Sequence, residues 1–180
     1  MRNWVVLFVR TGHEEKIRDA LSEHLNVDEN LPFVPHKETP YRRKGIVHRE
    51  RKILFSGYVF IQTVIEPILI ANKLRPVLEI LKGNKHVYSL LCNGNNKNDV
   101  IVQEAERRYW EGLFDENFCI RGSVGFIVGD VTRVTSGPLM GMEGKIKRIN
   151  RHRREAIVEM RIMGTVREVS LMLEIVEKKR

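Results

Sequence analysis

From Val124 onward the chain carries no helical period in its apolar residues. Short β-type runs recur instead: GFIVG, DVTRVTS, EGKIKRIN, EAIVEMRIM and REVSLMLEIV, with Gly, Pro, Asn and Arg between them. Runs of that length, separated by turn residues, predict a small all-β barrel over residues 123–180. Residues 1–114 have a different texture. WVVLFVR and ILFSGYVFIQTVI read as buried strands, while TGHEEKIRDALSEHL and VIVQEAERRYWEGLF read as helices. Thr11 is placed to cap the first helix, with Glu14 completing a capping box, and Ile17, Leu21 and Leu25 share one face. Pro76 is expected to end a second helix, with a strand after it. Lys44-Gly45 marks a polar hairpin tip, and NGNNKND marks a loop. The fold class is therefore α+β: an N-terminal α/β sandwich, a linker at 115–122 and the C-terminal barrel.

Lys and Arg number 31 against 23 acidic residues, a net charge of +8. An excess of this size is the footprint of a polyanionic partner, nucleic acid above all. It is uneven: residues 122–180 hold 12 Lys/Arg and 7 Asp/Glu. KIKRINRHRRE concentrates it, in Lys145, Lys147, Arg148, Arg151, His152, Arg153 and Arg154. Strand alternation sends Lys145 and Lys147 to one face and Ile146 to the other, with the remainder at the strand end and in the following loop. Guanidinium groups pair with phosphate bidentately and stack on bases, so the cluster is a candidate nucleic-acid contact; the alternative is a charged tip that keeps the barrel in solution. A second run, Lys37 to Lys52, has seven basic residues against Glu38 and Glu50, with Tyr41 among them. Contact and plain solvation are equally open there, and His36 and His48 are expected to face water.

Catalysis finds no support. Gly137, Gly141 and Gly144, followed by Lys145, fail as a phosphate loop, because Leu139 stands where the first glycine is needed and Ile146 where Ser or Thr is needed. All three glycines are read as positive-φ turn residues. The six histidines lack metal-ligand spacing, and Ser56-Gly57 is outside a nucleophile-elbow context. Cys92 and Cys119 are too few and too far apart for a disulfide framework, which suits structural thiols in a reducing compartment. The apolar run Trp4 to Val9 is too short for a signal segment or a membrane span, so a cytoplasmic protein without membrane contact is expected. Phe8, Phe55, Tyr58 and Phe60 are either core or an exposed patch for a protein partner.

The segment GDVTRVTSGPLMGMEGKIKRIN resembles the KOW motif, and WVVLFVRTGHEEKI, ILFSGYVFI and KLRPVLEILKG resemble the NGN domain of NusG-type transcription elongation factors. The order NGN, linker, KOW covers essentially the whole chain. The resemblance implies an antiparallel sheet flanked by helices, joined to an SH3-like barrel. It also implies docking on the clamp-helix coiled coil of the largest RNA polymerase subunit, which holds the clamp closed and suppresses pausing. Phe8 and Phe55 fall where such factors place apolar contacts, with Leu54 and Tyr58 as further candidates. Arg42, Arg43 and Lys44 would lie near upstream DNA. In general factors the KOW domain binds a ribosomal protein or Rho through a strand bearing Phe-Gly-Arg; here the residues are Met163-Gly164-Thr165. With its basic run after the KOW turn, the chain resembles the specialised LoaP-type antiterminators, which implies an RNA hairpin of the nascent leader as the ligand of Lys145 to Arg154. Ser56 replaces the usual proline of the family's FPGYVF. A general elongation factor and a ribosome-associated KOW protein remain the alternatives. No cofactor or metal is implied, and a monomer is expected.

Overall fold

The elements follow the order β1 (Asn3–Val9), α1 (Glu14–His24), β2 (Asn30–Phe33), β3 (His36–Arg43), β4 (Ile46–Ile53), β5 (Tyr58–Thr63), α2 (Pro67–Lys82), β6 (Val87–Leu90) and α3 (Glu104–Glu111). The remainder is β-rich: β7 (Cys119–Ile120), β8 (Ser123–Val128), β9 (Val131–Ser136), a 3-10 turn at Glu143–Lys145, β10 (Ile146–Asn150), β11 (Glu155–Ile162) and β12 (Thr165–Lys179). They come from a computed structural model that describes residues 2–83, 86–93 and 99–179; most of the NGNNKND loop lies outside the described residues. The chain forms an α/β domain and a C-terminal β domain, the architecture expected. It packs as two compact units: Met1–Pro35, Phe55–Arg108 and Ile162–Gly164 make the first, and His36–Leu54, Tyr109–Arg161 and Thr165–Arg180 the second.

The first unit is built on a sheet of order β2-β5-β1-β6. β1 runs antiparallel to β5 from Asn3↔Thr63 to Phe8↔Tyr58, and antiparallel to β6 on its other side. As an inner strand it is apolar on both faces, and Trp4, Val5, Val6 and Leu7 are all buried. Trp4 meets Phe33 edge-on at 5.1 Å between ring centroids. Pro32 sits on β2, the edge strand, where its missing N–H leaves no ladder bond unmade.

Two helix expectations are corrected. α2 does not end at Pro76 and no strand follows directly; the helix runs through the proline to Lys82. Ile70, Leu74, Leu78 and Leu81 form its buried stripe. Burying such side chains contributes about 1.5–3 kcal/mol each, which outweighs the roughly 3 kcal/mol that an interior proline costs. Pro76 and Asn72 are both exposed, so the carbonyl left without its N–H can turn to water. α1 has His13 as its N-cap, with no side-chain capping bond. Glu14, buried, accepts the N–H of Gly12 at 2.7 Å through one oxygen and the N–H of Gly57 at 2.6 Å through the other. A capping box would leave the buried Gly57 N–H without an acceptor, and Glu14 satisfies both donors from the first turn of α1.

The second unit holds a five-stranded sheet of order β10-β11-β12-β8-β9 and a three-stranded sheet of order β4-β3-β7. Ala156, Val158 and Met160 of β11 and Leu171 and Leu173 of β12 are buried. The three glycines of the KOW turn separate in role. Gly137 has φ +91° and packs so closely on Gly122 and Ser123 that a Cβ would lie 2.7 Å from the Ser123 Cα. Gly141 has φ +78° in open space. Gly144 is not a positive-φ residue: it lies inside the 3-10 turn with nothing near it, because Gly141 has already reversed the chain.

Candidate nucleic-acid interface

The basic run divides into a bulge and a turn. β10 pairs with β11 as Ile146↔Val158 and then Arg148↔Ile157, so Lys147 is the extra residue of a β-bulge. The bulge breaks the alternation predicted for Lys145–Lys147: Lys145 belongs to the 3-10 turn, and Lys147 and Arg148 are both exposed. Lys147 is paired with Glu159 at 2.6 Å, and that hydrogen bond raises the lysine's pKa and lowers the carboxylate's.

Residues 151–154 connect β10 to β11 in a fixed shape. Asn150 Oδ1 accepts the Arg153 N–H at 3.0 Å, the Arg154 N–H donates to the Arg151 carbonyl at 3.2 Å, and Arg154 has φ +54°. The Leu173 N–H donates to the Arg154 carbonyl at 2.9 Å, which ties the turn to β12. The Arg154 guanidinium is ion-paired with Glu174. Arg148, Arg151 and Arg153 are exposed and form no ion pair among the described residues. Their charge is held outward, available to an external anion.

A cavity of about 1130 Å³ opens beside this turn. Arg148, Arg151, His152, Arg153 and Arg154 line it, and so does Arg42 from the end of β3. Lys145 and Lys147 do not. A smaller cleft of about 280 Å³ adjoins it, lined by Pro40, Tyr41, Arg42 and Val47 on the hairpin and by His152 to Glu155 on the turn. Arg43 and Lys44 line neither. The joint presence of Arg42 and the arginine turn is the arrangement that sequence reasoning missed, because it depends on where β3 lies in the unit.

The β3–β4 hairpin is held firmly within the second unit. Its register is unbroken from His36↔Ile53 to Arg43↔Ile46, closed by the positive-φ pair Lys44 and Gly45. β3 pairs in parallel with β7. The Gly122 N–H donates to Glu38 at 2.7 Å, and Lys37 Nζ donates to the Ser170 carbonyl of β12 at 2.7 Å. Desolvation lowers the Lys37 pKa, against the attraction of nearby Glu155. His36, expected in water, is buried with its Nδ1 2.9 Å from Arg51 Nη2. Tyr41 stacks on the opposite His48, 5.2 Å between centroids and 25° between planes.

The aromatic candidates lie on the first unit and are not equivalent. Phe8 is 40% exposed, near the end of β1. Its ring lies 5.9 Å from Tyr58, which is half-buried, and 5.1 Å from Tyr88 of β6, which is 51% exposed. Phe55, at 6% exposure, and Leu54, at 8%, are buried, and Phe55 lies behind Tyr58 at 6.4 Å. Tyr88 is an addition from the structure, although HVYSL carries an alternation that marks a half-exposed strand. Among the described residues no helix is long and apolar enough to cross a membrane, and no group of three or more His, Cys, Asp or Glu residues is arranged to hold a metal ion.

Comparison with known proteins gives these surfaces their context. Residues 2–109 match the family described as transcription termination factor nusG, and residues 128–161 match the KOW motif. The α/β unit followed by a KOW-bearing β unit thus defines a class of transcription factor. The chain belongs to the NusG family of transcription termination/antitermination factors. It is 22% identical over 187 residues to the transcription termination/antitermination protein NusG of Treponema pallidum, covering 98% of each chain. It is 27% identical over 177 residues to that of Thermus thermophilus, covering 93% of this chain and 94% of the other. In fold it is similar to a solved structure titled "Domain interaction in Thermotoga maritima NusG", with a TM-score of 0.50, 20% identity, and coverage of 97% of this chain and 94% of that one.

Proposed function

We propose that the protein is a specialised antitermination factor that holds RNA polymerase through the Phe8 face and a hairpin of the nascent leader RNA through the arginine turn, suppressing pausing and termination. The observation that carries this reading is the groove in which Arg148, Arg151 and Arg153 stand exposed, with no ion pair to a carboxylate among the described residues. In this reading residues 1–114, apart from the β3–β4 hairpin that packs in the second unit, serve the polymerase, 115–122 connect, and 123–180 serve the RNA. Phe8 and Tyr58 touch the clamp helices of the largest subunit, with Phe55 supporting Tyr58 from beneath and the buried Leu54 a lesser candidate. Lys145, Lys147, His152 and Arg154 add positive potential around the three open arginines. Arg43 and Lys44 are left for upstream DNA. Duplex RNA is recognised by shape, phosphates and 2′-hydroxyls, a task suited to outward arginines on a rigid turn.

One further observation favours RNA over ribosome or Rho coupling. At the position of the Phe-Gly-Arg strand stands the Met163-Gly164 turn; Met163 is buried, and its N–H donates to Glu106 at 2.6 Å. None of Met163, Gly164 and Thr165 is aromatic.

The test is RNA binding by the full chain across a salt series. Tighter binding of a hairpin than of a single strand is expected. The combined Arg148→Ala, Arg151→Ala and Arg153→Ala variant should weaken it, and should lower the salt slope by about one for each phosphate that is no longer neutralised. An unchanged affinity in that variant removes the turn from the site. Phe8→Ala should abolish polymerase capture while leaving hairpin binding intact.

A further inference from the structure

We infer that the β3–β4 hairpin completes the RNA site: Arg42 holds the phosphate backbone together with the arginine turn, and the Tyr41–His48 pair stacks on an unpaired base, so the ligand is an RNA hairpin with an extruded nucleotide. This rests on the RNA reading above and specifies its ligand.

Arg42 is the side chain common to both clefts on the hairpin side, and His152, Arg153 and Arg154 are common to both on the turn side. A strand of backbone that follows the larger cavity therefore meets Arg42 before it leaves. The smaller cleft, at about 280 Å³, is near the lower limit of ligand pockets, about 300–1,000 Å³. That suits one base and excludes a duplex. Tyr41 lines this cleft, is exposed, and is already stacked on His48. A flat ring held by a cross-strand partner offers a π-face at little further loss of rotamer freedom. Stacking on such a face is tolerant of base identity, while the unpaired state of the base is what gains entry. Glu155, the carboxylate lining both clefts, offers an acceptor to a base amino group, and Glu174 is already neutralised by Arg154. The hairpin's attachments at Gly122 and Ser170 fix these groups relative to the arginine turn, so the site exists before RNA arrives.

The experiment uses the full chain and three probes: an RNA hairpin with one bulged nucleotide, the same hairpin fully paired, and a DNA hairpin of the bulged design. The bulged RNA carries 2-aminopurine at the bulge. Wild type should bind the bulged RNA most tightly and quench the 2-aminopurine. Tyr41→Ala should lose about 5- to 150-fold on the bulged RNA, with little change on the paired one, and should abolish quenching; Tyr41→Phe should retain both. Arg42→Ala should weaken both RNAs. Equal binding of bulged and paired RNA by wild type, without quenching, overturns the inference, and so does an undiminished affinity in Tyr41→Ala. If the arginine-turn variant still loses hairpin binding in that case, the RNA reading stands without the composite site. If the DNA hairpin is held as tightly as the bulged RNA, the hairpin is a DNA contact and the inference fails.

Discussion

Replacing Glu14 tests how the first unit holds its exposed aromatic face. The carboxylate closes two hydrogen bonds of unequal value. Gly57 is buried, and Glu14 is the acceptor of its N–H, so Glu14→Ala should cost about 1–3 kcal/mol for that donor. Gly12 is exposed, water replaces its acceptor, and the loss there is about 0.5–1 kcal/mol. The sum is about 1.5–4 kcal/mol, and Glu14→Gln, which keeps one acceptor oxygen, should cost roughly half. Gly57 has φ +83°, its carbonyl accepts the Val9 N–H at 2.8 Å, and it lies against the Phe8 ring, so freeing its N–H loosens the turn beside Phe8 and Tyr58. Chemical denaturation gives the total, and hydrogen exchange at the Gly57 amide gives the local part. Polymerase capture should weaken in step, while RNA binding, which the proposed function assigns to the second unit, should be unchanged. A Glu14→Ala variant within about 0.5 kcal/mol of wild type, with the Gly57 amide still protected, would refute the reasoning, because a buried donor cannot lose its acceptor at so small a cost.

Three further perturbations have defined outcomes. Gly137→Ala should destabilise the second unit by more than about 1 kcal/mol, since the new methyl meets the Ser123 backbone in a conformation disfavoured for alanine, whereas Gly144→Ala should be neutral or stabilising; thermal melts of the pair decide. Pro76→Ala should stabilise the first unit by up to about 3 kcal/mol by restoring a helix N–H, measured by denaturant midpoint. The Val134 N–H, donating at 3.0 Å, holds the Glu143 carboxyl below its ordinary pKa. That contribution is present above the usual carboxylate range and is lost as pH falls through the lowered value, so the stability gap between wild type and Glu143→Gln should narrow on acidification.

The strands of the second unit are legible in the sequence because turn residues punctuate them and each run is short. What eludes the sequence is conformation inside a motif and placement between motifs. Spacing alone makes Gly144 resemble Gly137, and only the packing of Gly137 on Ser123 separates them. Alternation places Lys147 opposite Ile146, but a bulge is a departure from alternation and has no marker here. Pro76 reads as a helix end in isolation; the buried stripe of α2 overrides it at a distance of one to two turns. Glu14 looks like a local cap because its partner Gly57 is far along the chain. Phe8 and Tyr58 come together as candidates through the family resemblance, while Tyr88 escapes because the strand after α2 is expected too early. The cationic residues are all visible as candidates, yet Arg42 stands apart from Arg153, since nothing local brings residue 42 beside residue 153.

The pairing of β3 with Cys119–Ile120 also bears on synthesis. His36 leaves the ribosome about 80 residues ahead of its parallel partner, a delay of roughly 4–16 s at ordinary elongation rates. Through that interval one edge of β3 is an open ladder, able to recruit another nascent chain. Lys37, Pro40, Arg42 and Arg43 are the kinds of residue that blunt such an edge. Those residues would guard the edge during synthesis, and neutralising them should lower the yield of soluble protein even where the finished fold tolerates the change.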